Sequence, residues 1–229
     1  MTVRLRDHVR IPPMAAKFYL LAYNSFHAFG WAVGLSRLLA TFSATNSLNR
    51  AYNSSGDLIS WLQVGSFLEV LHSALGLVPS GVLPILMQWG GRTHFLLAVV
   101  RQIDEVQEMP SVFITFLSWS ISEVIRYSHY ALNSLEICPF WLTYLRYTAF
   151  IALYPVGVAP GEMWLMYEAL PFIKKKNLYS SFFDTLHFSY YSFVVVLLVC
   201  YPFLWLKLYL HLFKQRQSRL RKLHEKKKQ

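Results

Sequence analysis

Cysteine is nearly absent from this chain. Cys138 and Cys200 are the two it has, both in or beside apolar stretches, and no CxxC pair occurs. That argues against a disulfide framework and against a thiolate metal or redox centre of the usual spacing. The eight histidines are scattered, with no HxxH or HxxHH arrangement, so the clustered imidazoles of a membrane di-iron hydroxylase or desaturase are missing. No G-x-G-x-x-G opens a helix after a strand, no Walker motif is present, and no Tyr-x-x-x-Lys pair of the reductase type exists. Acidic residues are few: 12 against 22 Lys and Arg, for a net charge of +10. The excess is concentrated, since nine of the basic residues follow from Lys207 onward. A basic tail beside an apolar segment is juxtamembrane in character and gives no reason to expect nucleic acid. The opening "MTVRLRDHVRIPPM" lacks the short apolar core and small-residue cleavage site of a signal peptide, so the first apolar block reads as a retained helix.

What the chain does have is apolar length. It is 55% hydrophobic and 17% aromatic, with a mean hydropathy of +0.33, and it shows repeated blocks of about twenty residues with little charge. These predict an all-α polytopic membrane bundle of about six transmembrane helices, over 18–40, 58–77, 82–100, 111–132, 142–168 and 187–210. The connections are short, with "NSSGD" in the first, "VPSG" as the second and "QIDEVQEMP" as the third. The expected organisation is an N-terminal segment 1–17, a six-span domain 18–210 and a basic tail 211–229. Six spans place both termini on one side, where the N-terminal segment and the tail carry thirteen Lys and Arg. The opposite side carries five, namely Arg50, Arg101 and Lys174 to Lys176, so cytoplasmic termini are predicted. The "KKKN" run at 174–177 is discordant with this. Either it snorkels at the interface, or the fifth and sixth segments are placed wrongly.

Ionisable residues inside the spans carry the chemistry. An ionised residue at the centre of a membrane helix costs about 2.5–3.5 kcal/mol on a translocon scale. Here Arg37, Arg92, Arg126 and Arg146 lie inside, with Glu69, Gln88, Glu123, Tyr127, Tyr154 and Glu162. Gln88 and Arg92 share a helix face, as do Glu123, Arg126, Tyr127 and Tyr130. Arg146 and Tyr154, eight residues apart, are about 80° apart around an ideal helix. Arg37, near a helix end, reads as structural. Glu123 with Arg126 reads either as structural glue or as part of a site. His27, His72, His94 and His129 read as hydrogen-bonded bundle residues. The segment "YPVGVAPGE" (154–162) is different, because two prolines and two glycines interrupt the apolar run between Tyr154 and Glu162. A discontinuous membrane helix commonly marks a substrate site. Pro155, Gly157 and Pro160 are expected to end or kink the helix and open a polar chamber.

Three segments carry a resemblance: "LEVLHSALGLVPS" (68–80), "SWSISEVIRYSHYAL" (118–132) and "LRYTAFIALYPVGVAPGE" (145–162). They resemble the signature segments of the very-long-chain (3R)-3-hydroxyacyl-CoA dehydratases. These are also called protein-tyrosine-phosphatase-like proteins, and in plants PASTICCINO. The likeness runs over nearly the whole chain from about Phe18, including "HFSYYSF" and "YLHLFKQRQ". It implies six spans in the endoplasmic reticulum membrane, with other fatty-acid elongation enzymes as partners. It also implies the third step of the elongation cycle, loss of water from a 3-hydroxyacyl-CoA to give a trans-2-enoyl-CoA. A phosphatase reading fails on the residues. In "HSALGLVP" Ser73 stands where a cysteine phosphatase needs its thiolate, and Pro79 where it needs its phosphate-clamping arginine.

The resemblance implies a catalytic tyrosine and glutamate in the pattern Tyr-Pro-x-Gly-x-x-x-Glu. Tyr154, Pro155 and Gly157 match it. The glutamate departs from it, because eight steps separate Tyr154 from Glu162 where the pattern has seven, and Pro160 reads as the inserted residue. Dehydration needs a base for the C2 proton and an acid for the departing hydroxyl. The expected assignment is Tyr154 as base and Glu162 as acid, with the exchanged roles also open. Glu69, Gln88, Arg92, Glu123, Arg126, Arg146 and Gly157 are expected to bind substrate or support the pair, and no metal or cofactor is called for. Two other readings stay open: a scaffold of this type that has lost catalysis and binds elongation partners or phosphoproteins, and a transporter.

Overall fold

A computed structural model describes residues 14–183, 185 and 187–227, with side chains through Arg221. It is helical, with no strand among the described residues. The helices group into six units that run alternately between two ends. The first is α1 (Met14–Thr45), and the second is α2 (Ala51–Gly65) continued by α3 (Leu68–Ala74). The third is α4 (Val82–Thr93), extended by a π-helical turn over His94–Val99 and a short 3₁₀ turn over Val100–Gln102. The single-turn α5 (Asp104–Gln107) leads to the fourth unit, α6 (Pro110–Ser134). The fifth strings together α7 (Phe140–Arg146), α8 (Phe150–Val156), a π-helical turn over Gly157–Met163 and α9 (Trp164–Lys176). After α10 (Ser180–Phe183) the sixth unit is α11 (Tyr190–Lys227).

Two of these stretches, Phe140–Lys176 and Tyr190–Arg221, are long and apolar enough to cross a bilayer, with mean hydropathies of 1.3 and 2.1. The distribution of side chains is that of a membrane bundle. Large apolar groups such as Phe29, Trp61 and Phe203 stand more than 70% exposed on its outside, while Glu123, Glu162, Gln63 and His27 are buried within. Trp31, Phe95, Phe116, Trp119 and Tyr127 fill the centre, with α6 as the axis against which α1 and the second π turn pack.

Several boundaries differ from the sequence reading, each for a local reason. "NSSGD" is not in a loop: Asn53–Asp57 lies inside α2. There Ser54 and Ser55 turn their hydroxyls back to the Ala51 and Gly34 carbonyls, so these loop-prone residues are satisfied within a helix. The turn comes earlier, after Asn46 in left-handed conformation with φ 49°. The fifth unit runs past 168 to Lys176, where Asn177, also left-handed, caps it. The lysine run therefore sits at the end of the unit, beside its carbonyls. Lys176 donates to Glu105 at 2.7 Å and thereby holds that carboxyl below the usual carboxylate range. Arg101 lies 4.0 Å from Asp57 at this same end. At the other end Lys17 meets Glu136 of the α6–α7 turn at 3.9 Å. α11 passes through position 211 without a break. Residues 1–13 of the expected N-terminal segment, and the side chains from Lys222 onward, lie outside the described residues.

The third difference concerns 154–162. Pro155 and Pro160 do not end the helix; they lie inside one that continues as a π turn, the Trp164 amide reaching back five residues to the Ala159 carbonyl. This turn lies close against α6. A Cβ at Gly161 would fall 2.5 Å from Thr115 Oγ1, and one at Gly157 would fall 3.1 Å from Ser118 Cβ. Two glycines four residues apart thus let the backbone settle on the Thr115 and Ser118 face of α6, the small-residue contact that draws membrane helices together.

Candidate active site

A small cavity of about 20 Å³ opens between α4, α6 and the α8–π segment, lined by Arg92, Ser118, Trp119, Ser122, Leu153, Tyr154, Gly157, Val158 and Glu162. Arg92, Ser122 and Val158 are the middle residues of their units, 82–102, 110–134 and 140–176, so the cavity lies halfway between the two ends of the bundle.

Tyr154 and Glu162 both face it, and the π turn explains how. An α-helix turns 100° per residue, so seven steps bring a side chain back to within about 20° of its starting face and eight overshoot by about 80°. A π turn takes one extra residue into a single turn. The eighth residue thereby stands about where a seventh would stand in an unbroken α-helix, which returns Glu162 to the side of Tyr154. Glu162 is 4% exposed. It accepts a hydrogen bond from Trp119 Nε1 at 2.8 Å on one oxygen and from the Tyr201 hydroxyl of α11 on the other. Tyr154 stacks with Tyr209 and leans on Trp205, ring centroids 5.9 and 6.2 Å apart, so α11 packs against Tyr154 beside the cavity.

Beside the cavity runs a chain of charges, Glu123 buried and the others partly so. Arg92 donates to Glu123, and Arg126 donates to Glu123 through Nε at 2.6 Å. The guanidinium of Arg126 grips Glu69 in bidentate fashion, at 2.5 and 2.9 Å. Tyr127 also donates to Glu69. The expected i,i+3 pairing of Glu123 with Arg126 is present and is one link of this longer chain. Two arginines and two glutamates balance one another, which is what makes the burial of Glu123 and the partial burial of the other three tolerable. Glu162 stands outside that balance, held by neutral donors. Arg92 joins the two groups: its guanidinium lies 4.7 Å from the centroid of the Trp119 ring whose N–H holds Glu162.

The structure therefore brings Tyr154, Glu162, Arg92 and Gly157 to the cavity, with Glu123, Arg126 and Glu69 behind them. It does not bring Gln88 there. Gln88 is exposed, on a helix with no buried residue, one turn nearer the α3–α4 loop than Arg92, whose longer side chain reaches inward. The buried amide in this region is Gln63, bonded to the Trp89 carbonyl at 3.3 Å and to Thr93 Oγ1 at 3.1 Å. Arg146 also lies away from the cavity, toward the tail end, donating to the Tyr130 hydroxyl at 3.2 Å. Ser73 is buried and holds the α3–α4 turn by donating to the Ser80 carbonyl at 2.5 Å. Trp119, Tyr201 and Gln63 were not singled out from the sequence. The one available signal was a tyrosine at the middle of the uncharged last span. Of the four histidines, His72 and His94 bond to Tyr19 and Tyr190 at 2.8 and 3.0 Å. His27 stacks on Tyr127 and His129 packs against Tyr147, each with an unpaired Nδ1.

A family model described as protein tyrosine phosphatase-like protein, PTPLA, matches residues 63–222, which include every residue lining the cavity. The chain belongs to the PTPLA family. Among its relatives is the human very-long-chain (3R)-3-hydroxyacyl-CoA dehydratase 2, 36% identical over 216 residues, covering 93% of this chain and 85% of the human protein. The mouse very-long-chain (3R)-3-hydroxyacyl-CoA dehydratase 1 is 31% identical over 208 residues, 90% of this chain and 74% of that one. The dehydratase PASTICCINO 2 of Arabidopsis thaliana is 35% identical over 185 residues, 80% and 83% of the two chains. No solved structure matches the chain with significance. Where the phosphatase pattern would carry its cysteine, this chain has Ser73, buried and hydrogen-bonded to the Ser80 carbonyl.

Proposed function

We propose that this protein removes water from a very-long-chain (3R)-3-hydroxyacyl-CoA to give the trans-2-enoyl-CoA, the third step of a fatty-acid elongation cycle. The observation that carries the reading is the meeting of Tyr154 and Glu162 in one mid-height cavity beside Arg92. Tyr154, in its ionised form, takes the C2 proton, and the electron pair of the broken C2–H bond forms the C2–C3 double bond. Glu162 protonates the C3 hydroxyl, which leaves as water. The carboxylate left on Glu162 is then held by Trp119 and Tyr201. Arg92, Ser118 and Ser122 line the same cavity and supply donors toward the thioester oxygen as the C2 proton departs. The reaction moves one proton and one hydroxyl and calls for neither metal nor redox cofactor. The names of the relatives support the substrate class. The π turn weighs against a scaffold that has lost its site, because it restores the register that the inserted residue would otherwise destroy.

The six units are read as six membrane crossings with both termini cytoplasmic, on the charge count above. The endoplasmic reticulum membrane, among other elongation enzymes, is the setting that the dehydratase reading implies. For the chemistry, Tyr154→Phe and Glu162→Gln should each lower turnover by about 10²–10⁴-fold while the protein still inserts and folds. Near-normal rates in both would remove the site assignment.

A further inference from the structure

Ten buried side-chain nitrogen and oxygen atoms lack a hydrogen-bond partner among the described residues, and five of them gather in one region. They are Trp205 Nε1, Thr148 Oγ1, Arg146 Nε, His129 Nδ1 and Arg216 Nε. α11 runs antiparallel to the α7–α9 unit in a clear register. Tyr201 bonds Glu162, Trp205 faces Tyr154, and Tyr209 donates to the Ile151 carbonyl at 3.0 Å. Next, Phe213 meets Phe150 with ring centroids 5.2 Å apart. The same register carries Arg216 to the level of Arg146. His129 lies within electrostatic reach of both Arg146 and Arg219, which places Arg219 at this end as well. The unpaired atoms therefore trace a line from the reaction cavity toward the tail end of the bundle. It spans roughly 12 Å between Tyr154 and Arg146 at 1.5 Å per helical residue.

This line has a definite chemistry. Trp205, Thr148, Arg146 and Arg216 all present donors there, and a buried donor without an acceptor is expensive within a bilayer. Among the described residues the cationic end is not neutralised from within. No carboxylate lies within salt-bridge distance of Arg146, Arg216 or Arg219 among the described residues, and Glu136, the acid of the nearby turn, is taken by Lys17. The Arg146 guanidinium lies among aromatic rings, 5.6 Å from the Tyr130 centroid and 5.8 Å from that of Tyr147. Guanidinium groups suit phosphate oxygens.

We propose that the seam between α8 and α11 is the channel for the coenzyme A arm of the substrate, and that Arg146, Arg216 and Arg219 bind its phosphate groups at the tail end. The two amide carbonyls of the pantetheine arm are acceptors for the Trp205 and Thr148 donors, and the phosphates are anions for the arginines. The proposal rests on the dehydratase reading and adds to it the side from which the thioester enters.

The test compares two substrates on the purified full-length protein in phosphatidylcholine nanodiscs, one a 3-hydroxyacyl-CoA and the other the matching 3-hydroxyacyl-pantetheine thioester, which lacks the phosphates. In the Arg216→Gln/Arg219→Gln variant the ratio of kcat/KM for the CoA substrate to that for the pantetheine substrate should fall about tenfold. The change should come through KM for the CoA substrate, and Arg216→Lys/Arg219→Lys should restore most of it. An unchanged ratio overturns the proposal. Titration with free coenzyme A, read by calorimetry, keeps the test separate from the reaction. Wild-type binding that weakens in the Gln variant supports the subsite even if no dehydration is found, whereas equal binding overturns it. Phosphate chemistry is shared with lipid headgroups, so the titration is repeated with phosphatidylserine in the nanodisc. If the Gln substitutions weaken attachment to phosphatidylserine vesicles but leave coenzyme A binding intact, the arginines are a lipid contact and the coenzyme A assignment falls.

Discussion

Deleting Pro160 should leave an active protein, and the helix geometry says why. Pro160 is exposed and lies inside the π turn, so its removal opens no cavity. The turn can relax to ordinary α geometry with seven steps between Tyr154 and the glutamate, which keeps the two within about 20° of each other. The packing of α9 through Leu165, Met166 and Ala169 is then also kept in phase. The contrasting perturbation inserts an alanine after Ala159. The π turn already holds one extra residue, and a second would rotate Glu162 by about 100° relative to Tyr154. On a helix of about 5 Å radius that swings the side chain some ~8 Å, far outside hydrogen-bond reach of a group bonded to the same substrate. Formation of enoyl-CoA by the two purified variants decides the matter. Turnover close to wild type is expected for the deletion, and a loss of about 10²–10⁴-fold for the insertion. If the deletion loses as much as the insertion, or the insertion loses nothing, the π turn is not the device that sets the register of the pair.

Tyr201→Phe removes one of the two donors that hold Glu162; a hydrogen bond to a charged group contributes about 1.5–3 kcal/mol, so turnover should fall about ten- to a hundredfold with little change in thermal stability in detergent. Gly161→Ala places a methyl group against Thr115 Oγ1 and should destabilise the bundle by about 1–3 kcal/mol; Thr115→Ala in the same chain should recover part of that, and additive losses would show that the two helices do not meet there. Glu123→Ala leaves Arg92 and Arg126 partly buried with one fewer partner and should cost about 3–5 kcal/mol, read as a lowered unfolding temperature of the purified protein; a neutral result would break the charge chain described here.

How much of this was legible in the sequence depends on the range of the interaction. The helical units could be read because lipid-facing positions must be apolar along the chain, and that signal is local. The pairing of Glu123 with Arg126 was legible for the same reason, since i,i+3 spacing on a helix fixes it. The bidentate grip of Arg126 on Glu69 spans 57 residues, and the Tyr201 bond to Glu162 spans 39, so no spacing rule could announce either. Gln88 shows the converse error, for a shared helix face with Arg92 does not ensure that a shorter side chain reaches the same place. Asn53–Asp57 looked like a loop by composition, but its serines close their hydrogen bonds within α2 and with α1. The π turn was visible only as a miscount of one residue between Tyr154 and Glu162. Proline and glycine there suggested a broken helix, whereas packing on α6 keeps it continuous.

The account stands most directly on one measurement: the purified wild-type protein, in detergent or nanodiscs, incubated with a very-long-chain (3R)-3-hydroxyacyl-CoA and followed for the trans-2-enoyl-CoA. Conversion that is abolished, or reduced at least a hundredfold, by Tyr154→Phe is the predicted result. A folded wild-type protein that forms no enoyl product, or a Tyr154→Phe protein that forms it as fast as wild type, would contradict the claim that this cavity is a dehydratase site.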